Sequence, residues 1–355
     1  MNRKLLLICG PTASGKSGLA VELARRLDGE VVSIDSVQIF RGCDIGAAKL
    51  RPEERGGIPH HMLDIRDADQ PCNAAQFIEA AERSIAAIQA GGKRAILCGG
   101  TTLYITALLH GLAAVPAAEP ALRAELEALP EDALFERLRA ADPAAALRLH
   151  PRDRVRVIRA LETHALAGQA ASKLLEQHGY RERRYSGVAL VLCWPRDQLY
   201  ERINARSGAM IAAGLIAETR ELLRRFGPAI PVLRTLGYSQ AHAFLQGALG
   251  ESEIVPDIAK HTRRLAKRLM TFWRNEPGKR GWRTLPAPGE AAASLGAEGL
   301  SPRGARKGFG VMRLSPAELV ARLEAALADD RPQDLQLWYL DAPHLQAQGL
   351  SAAGD

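Results

Sequence analysis

The sequence predicts an α/β protein: a P-loop-containing parallel β-sheet core with helices on both faces, plus a helical insertion domain. Three observations predict it. The apolar run 5–9 leads into Gly10-Pro11-Thr12-Ala13-Ser14-Gly15-Lys16-Ser17 and then into a stretch, 18–24, with helical spacing. Two further apolar runs, 31–34 and 94–98, alternate with helical patterns through the first hundred residues. Beyond Val115-Pro116 the chain turns rich in Ala, Arg, Leu and Glu up to residue 185, with no convincing strand, before an apolar run returns at 188–194.

The first element is a strand, a glycine loop and a helix in succession, the context a phosphate-binding loop requires. Its glycines let successive amides turn toward an anion, and the helix N-terminus adds its positive dipole end. Residues Gly10 through Ser17 therefore read as a cradle for linked phosphates, with Lys16 a point charge on the outer phosphate and Ser17 a hydroxyl for Mg²⁺. The loop does not specify which phosphate compound it holds. The runs 31–34 and 94–98 read as further buried parallel strands. Helices at 16–27 and 73–90 cross between them in the right-handed sense. Ligands of such sheets gather at the carboxyl ends of the strands. Those ends carry the phosphate loop, then Asp35-Ser36, then Gly99-Gly100-Thr101-Thr102. Three roles are open to Asp35: a magnesium ligand, a general base, or the cap of the turn that follows it. Thr101 offers a hydroxyl near the same phosphates. The mixed polar, basic and glycine stretch 36–49 suits a binding surface better than a core.

Helix boundaries at Pro130, Pro143 and Pro151 divide the insertion. After the strand at 188–194, helices are expected at 196–226, 238–247 and 256–275. A Pro-, Gly- and Ala-rich linker over 286–312, a helix at 315–328 and a polar end complete the chain. The expected divisions are thus 1–115 (first part of the core), 116–187 (helical insertion), 188–285 (second part of the core) and 286–355 (linker and unassigned extension).

The balance of 47 Lys and Arg against 40 Asp and Glu gives a net charge of +7, which suits a polyanionic partner without naming it. Two clusters concentrate that charge. Residues 150–159 carry four arginines, and 262–274 carry five cations beside Phe272 and Trp273. Charge for phosphates and flat faces for splayed bases are what looped RNA calls for. The five cysteines lack paired spacing, which reads as free thiols in a reducing cytoplasm rather than a disulfide or zinc framework. The N-terminal apolar run is too short for a signal peptide. No stretch reaches the roughly 18–20 apolar residues of a membrane span, so a soluble cytoplasmic protein is expected.

Together these segments resemble the tRNA dimethylallyltransferases, which prenylate adenosine 37 beside the anticodon. The resemblance spans residues 4–285. It rests on GPTASGKS at 10–17, DSVQIFRGCDIGAAK at 35–49, PHHMLDI at 59–65, GGTTLYI at 99–105, HPRDRVRVIRALE at 150–162, LGYS at 236–239 and TRRLAKRLMTFWR at 262–274, in that order. It implies that residues 10–17 hold the diphosphate of dimethylallyl diphosphate, with Lys16, the loop amides and an Mg²⁺ ion on Ser17 all stabilising the departing charge. It further implies that Asp35 is the general base for N6 of adenine, that Thr12 and Thr101 contact the diphosphate or frame the prenyl channel, and that Arg202 reaches the leaving pyrophosphate.

Adenosine must be flipped from the anticodon loop to enter such a channel. RNA contacts are accordingly implied for Asp35, Ser36, Val37, Gln38 and Thr101, for Arg123, Arg156 and Arg159, for Arg234, Gly237 and Tyr238, and for Lys267, Arg268 and Arg274. The enzyme is expected to act as a monomer on tRNA. Ala47, Leu269 and the order Phe272-Trp273 depart from the family's usual threonine, glutamine and tryptophan-first pair. The rival readings are a small-molecule kinase, prenyl transfer to a free adenine nucleotide, and a nucleotide-driven RNA-binding switch. The tail falls outside the resemblance; its Trp338-Tyr339 pair either packs on the main body or marks a protein contact.

Overall fold

Seven short strands assemble into one parallel sheet. The computed structural model describes residues 4–180, 182–279, 282–285, 311–328 and 335–350. In chain order the first part comprises β1 (Leu5–Cys9), α1 (Lys16–Arg26), β2 (Gly29–Ile34), β3 (His60–His61), α2 (Ala74–Ala90), β4 (Arg94–Gly99) and α3 (Thr102–His110). Five helices follow: α4 (Pro120–Ala128), α5 (Glu131–Ala141), α6 (Pro143–Ala146), α7 (Arg154–Ala167) and α8 (Ala171–His178). The chain then returns through β5 (Gly187–Cys193), α9 (Arg196–Ala212), α10 (Leu215–Phe226), α11 (Tyr238–Leu245) and α12 (Glu251–Lys279). It ends with β6 (Arg283–Leu285), α13 (Pro316–Ala328), β7 (Gln336–Asp341) and α14 (Ala342–Ala347).

The strand order is β3-β2-β4-β1-β5-β7-β6, with every pairing parallel. Central parallel strands are covered on both faces, which is why β1 (LLLIC) and β5 (GVALVLC) are continuously apolar. Leu6 and Ile8 of β1 share one core cluster with Leu19 and Leu23 of α1 and with Leu319 and Leu323 of α13. Their neighbours Leu5 and Leu7, which point the other way, are equally buried. On α2, Phe77 stacks on Tyr104 of α3 with ring centroids 4.0 Å apart. Asn73 starts α2 with a capping box, its side chain accepting from the Gln76 amide while Gln76 reaches back to the Asn73 amide.

Contacts divide the chain into two units, Met1–Thr106 with Tyr185–Asp355, and Ala107–Arg184. The second is helical, with its own core of Leu126, Leu134, Leu138, Val157 and Leu161.

Three sequence expectations need correction. The helix expected over 196–226 is two helices, because Gly214 adopts φ 104, in the left-handed range, and stops α9 from continuing. The helix expected from Pro256 begins at Glu251. Proline favours a helix start, but Pro256 lies on an exposed turn, where water can satisfy the carbonyl it leaves unpaired. The end expected to be polar contains β7, whose six residues QLWYLD are all buried between β5 and β6. Trp338 and Tyr339 therefore pack on the main body. Tyr339 donates to the Trp273 carbonyl at 2.5 Å. Most of the expected linker, 286–310, lies outside the described residues; Met312 already bridges to Leu340 of β7.

Candidate active site

The carboxyl ends of β1, β2 and β4 converge on a cavity of about 460 Å³, within the range of small-molecule sites. Thr12, Lys16 and Ser17 line it from the phosphate loop and the start of α1, Asp35, Ser36, Val37 and Gln38 from the turn after β2, and Thr101 from the turn after β4. Apolar walls come from Ile203 of α9 and from Ile258, Leu265 and Leu269 of α12. Donors and hydrocarbon thus share one chamber, which suits a ligand with an anionic head and an apolar body.

The phosphate loop is set by its backbone. Ala13 and Gly15 have φ 62 and 86, which alternates the hand of the chain and turns amides inward. Lys16 is buried, and its Nζ donates to the Pro11 carbonyl at 2.6 Å. The Ser14 hydroxyl is buried without a hydrogen-bond partner among the described residues. An orphaned donor and a buried ammonium beside inward-turned amides fit an oxyanion.

Asp35 fills the capping role and is available for another. Its Oδ1 accepts from the amides of Val37 at 2.8 Å and Gln38 at 3.2 Å. Its other oxygen makes no hydrogen bond among the described residues. Thr101 is placed beside it because its amide donates to the Ile34 carbonyl at 3.3 Å, tying the end of β4 to the end of β2. His60 also lines the cavity, and burial holds its imidazole below the usual pKa. Burial pushes the Cys43 and Cys193 thiols up to about 12, which leaves them inert as nucleophiles. Among the described residues no group of three or more His, Cys, Asp or Glu could hold a metal.

Several expected site residues are placed differently. Arg202 does not line the cavity. Its Nε donates to the Ala13 carbonyl at 2.8 Å, and its guanidinium lies 4.5 Å over the Trp194 ring. The arginine that does line it is Arg206, one turn further along α9, with Nη1 3.5 Å from Thr12 Oγ1. The i,i+4 spacing in Arg202-Ile-Asn-Ala-Arg206 puts both on one helix face, a signal the sequence carried.

Tyr238 is fully buried, so its side chain is no RNA contact in this structure. Its hydroxyl donates to Glu218 Oε1 at 2.6 Å, and burial, with Cys43 and Glu218 alongside, drives its pKa far up. Glu218 also accepts from the amides of Asp44, Ile45 and Gly46 at 2.8–3.0 Å. Gly46 is pressed so closely on the Tyr238 ring that a Cβ there would collide with it. Glu218 is thus the clamp of the 44–48 loop, part of which walls the cavity, and no local pattern in the sequence pointed to it. Gln38 reinforces the same loop, accepting from Ser33 Oγ at 2.7 Å and donating to the Ala47 carbonyl at 3.1 Å.

Removing the Glu218 carboxylate leaves three loop amides without their acceptor, at about 1–3 kcal/mol. Glu218→Ala is expected to lower kcat/KM about tenfold or more with helical content unchanged by circular dichroism. An unaltered kcat/KM would detach the clamp from function.

Beside the cavity, sharing Leu236 and Leu265 with it, lies a depression lined by Arg234, Arg264, Lys267 and Arg268. All four are exposed, and their side chains make no ion pair among the described residues. Trp273 lies in the core and is unavailable for stacking on a base; half-buried Phe272 meets it edge-on at 5.2 Å. Arg274, half-buried, does not line either hollow. In the helical unit Arg123 grips the buried Glu162 with two bonds, 2.8 and 3.2 Å, and Arg159 donates to the Pro116 carbonyl at 2.6 Å. Arg156 is exposed and pairs with Asp153.

A family model described as IPP transferase matches residues 38–276. The chain belongs to the IPP transferase family. Among relatives, it is 46% identical over 279 residues to tRNA dimethylallyltransferase 1 of Pelobacter propionicus, covering 77% of this chain and 90% of that protein. Against tRNA dimethylallyltransferase of Anaeromyxobacter dehalogenans strain 2CP-C the figures are 46% over 294 residues, 82% of this chain and 98% of the relative.

The crystal structure of the full-length tRNA isopentenylpyrophosphate transferase of Bacillus halodurans superposes with a TM-score of 0.56 at 38% identity, covering 77% of this chain and 87% of that one. A eukaryotic dimethylallyltransferase acting on tRNA gives a TM-score of 0.66 at 26% identity, covering 76% of this chain and 69% of that one. Two of this IPP transferase's departures now have a local setting. Ala47 serves the Gln38 bond through its carbonyl, which any residue supplies. Leu269 turns to the cavity, against Gly100.

Proposed function

We propose that the chain transfers the dimethylallyl group of dimethylallyl diphosphate to N6 of adenosine 37 in the tRNA anticodon loop, releasing diphosphate. One observation carries this reading: the phosphate loop and Asp35 share a partly apolar cavity that adjoins a surface of exposed cations with no ion pair among the described residues. The apolar walls take the prenyl chain. Lys16, Arg206 and the inward amides of the loop take the diphosphate and stabilise its charge as the allylic C–O bond breaks and both electrons leave with oxygen. N6 attacks the carbon so released, and Asp35 takes the N6 proton. Proximity to one carboxylate matters because an exocyclic amine is a poor base. The Ser17 hydroxyl lines the cavity beside Lys16 and fits a magnesium ion that takes most of its ligands from phosphate oxygens and water. When bound, that ion would neutralise charge on the leaving group.

In this reading the enzyme works on tRNA as a monomer in the cytoplasm. Among the described residues no helix is long and apolar enough to cross a membrane.

Transfer of labelled prenyl from dimethylallyl diphosphate to an anticodon stem-loop with adenosines at 36 and 37 tests the reading. Label must appear on the RNA and vanish when adenosine 37 is changed. ATP turnover on a small alcohol or nucleotide, with no transfer, would support a kinase instead. Lys267→Ala is expected to weaken stem-loop binding across all sequences and to lower the slope of log affinity against log salt by about 1. A titration series at several salt concentrations reads both.

A further inference from the structure

Two successive carbonyls of the phosphate loop are tied down on the side away from the cavity. Arg202 Nε donates to the Ala13 carbonyl at 2.8 Å, and Trp194 Nε1 donates to the Ser14 carbonyl at 3.0 Å. Neither Arg202 nor Trp194 lines the cavity. A trans peptide unit is planar, with its N–H opposite its C=O. Fixing the Ala13 and Ser14 carbonyls behind the loop therefore fixes the amides of Ser14 and Gly15 on the opposite side. These are amides a bound diphosphate would use. The two donors also hold each other, since the Arg202 guanidinium sits over the Trp194 ring.

Both donors rest on the C-terminal segment. Strand β7 lies beside β5 in register from Val188↔Gln336 to Cys193↔Asp341. Asp341 accepts from Arg313 Nε at 2.7 Å and caps α14 through the His344 amide at 3.3 Å. Leu345 and Leu350 are buried in the same cluster as Trp194 and Ile203. That packing sets the position of Gln346, whose Oε1 accepts from Arg202 Nη1 at 3.3 Å. The family match ends at residue 276, short of this whole segment.

We propose that the segment 335–350 braces the phosphate loop, with Gln346 a positioning residue that orients its amides for diphosphate through Arg202. The inference rests on the reading of that loop as a diphosphate site. Its consequence is an affinity for the anionic head of the donor that depends on residues outside the family match.

The test is calorimetric titration of the full-length protein with inorganic pyrophosphate and Mg²⁺, beside steady-state kinetics. In Gln346→Ala the pyrophosphate affinity is expected to fall about three- to tenfold. KM for the allylic diphosphate should rise by a similar factor, while KM for RNA and the melting temperature stay as they are. Gln346→Glu keeps an acceptor for Arg202 and should restore the affinity. An unchanged pyrophosphate affinity in Gln346→Ala overturns the brace. So does a loss matched by an equal fall in RNA affinity and melting temperature, which would mark general loosening. If the unaltered protein fails to bind pyrophosphate while still transferring prenyl, the diphosphate reading of the loop fails first and the brace with it.

Discussion

Asp35→Asn is expected to lower kcat by about 10²–10⁴-fold, the worth of a positioned general base, with stem-loop affinity unchanged. The substitution separates the two things this side chain does. An asparagine Oδ1 still accepts from the amides of Val37 and Gln38, which Asp35 Oδ1 holds at 2.8 and 3.2 Å, so the turn after β2 keeps its shape. The amide cannot take a proton from N6. Single-turnover transfer of labelled prenyl, run beside a binding titration, reads the two effects apart. Full turnover in Asp35→Asn would mean that the residue only caps the turn, and a fall in binding alone would also remove it from the chemistry. Asp35→Ala is the poorer variant, because it leaves two amides without an acceptor and mixes both effects.

Lys16→Met is expected to cut kcat/KM by about 10²–10³-fold, as the loss of one preorganised transition-state donor does, without lowering the melting temperature. Lys16 is 9% exposed and bonded to a carbonyl, with no acid partner among the described residues. Its desolvation is therefore offset by only one neutral acceptor, and a methionine of similar length fills the same space at no such cost. Activity and stability should move independently, the mark of a residue kept for its ligand. Thermal melts with and without pyrophosphate check this: the ligand should raise the melting temperature of the unaltered protein and not of the variant. A variant that melts well below the parent would make Lys16 structural.

Parts of the site that lie within one strand-to-helix turn were legible residue by residue. The spacing in 10–17 fixes an anion cradle because the backbone angles it needs are set by the glycines and the start of α1. Asp35 and Thr101 followed from the rule that strand ends carry the ligand, since the runs before them read plainly as buried strands. The strands at 5–9 and 94–98 were placed within a residue of β1 and β4, because a parallel strand buried on both faces shows as an unbroken apolar run. Strand β7 is not legible in this way. Its run QLWYLD begins and ends on polar residues, so it shows no unbroken apolar stretch, and only pairing with β5 gives it a place in the sheet.

The phosphate loop, the carboxylate after β2 and the apolar runs that become the central strands are readable from the residues alone, because each depends on neighbours a few residues away. Long-range packing sets the rest: Arg206 rather than Arg202 faces the cavity, the Tyr238 ring is a buried strut under Glu218, and Gln346 stands behind the loop. Those choices rest on segments that meet across long stretches of chain. A hydrophobic pattern says which faces are buried, and says nothing of which buried face meets which.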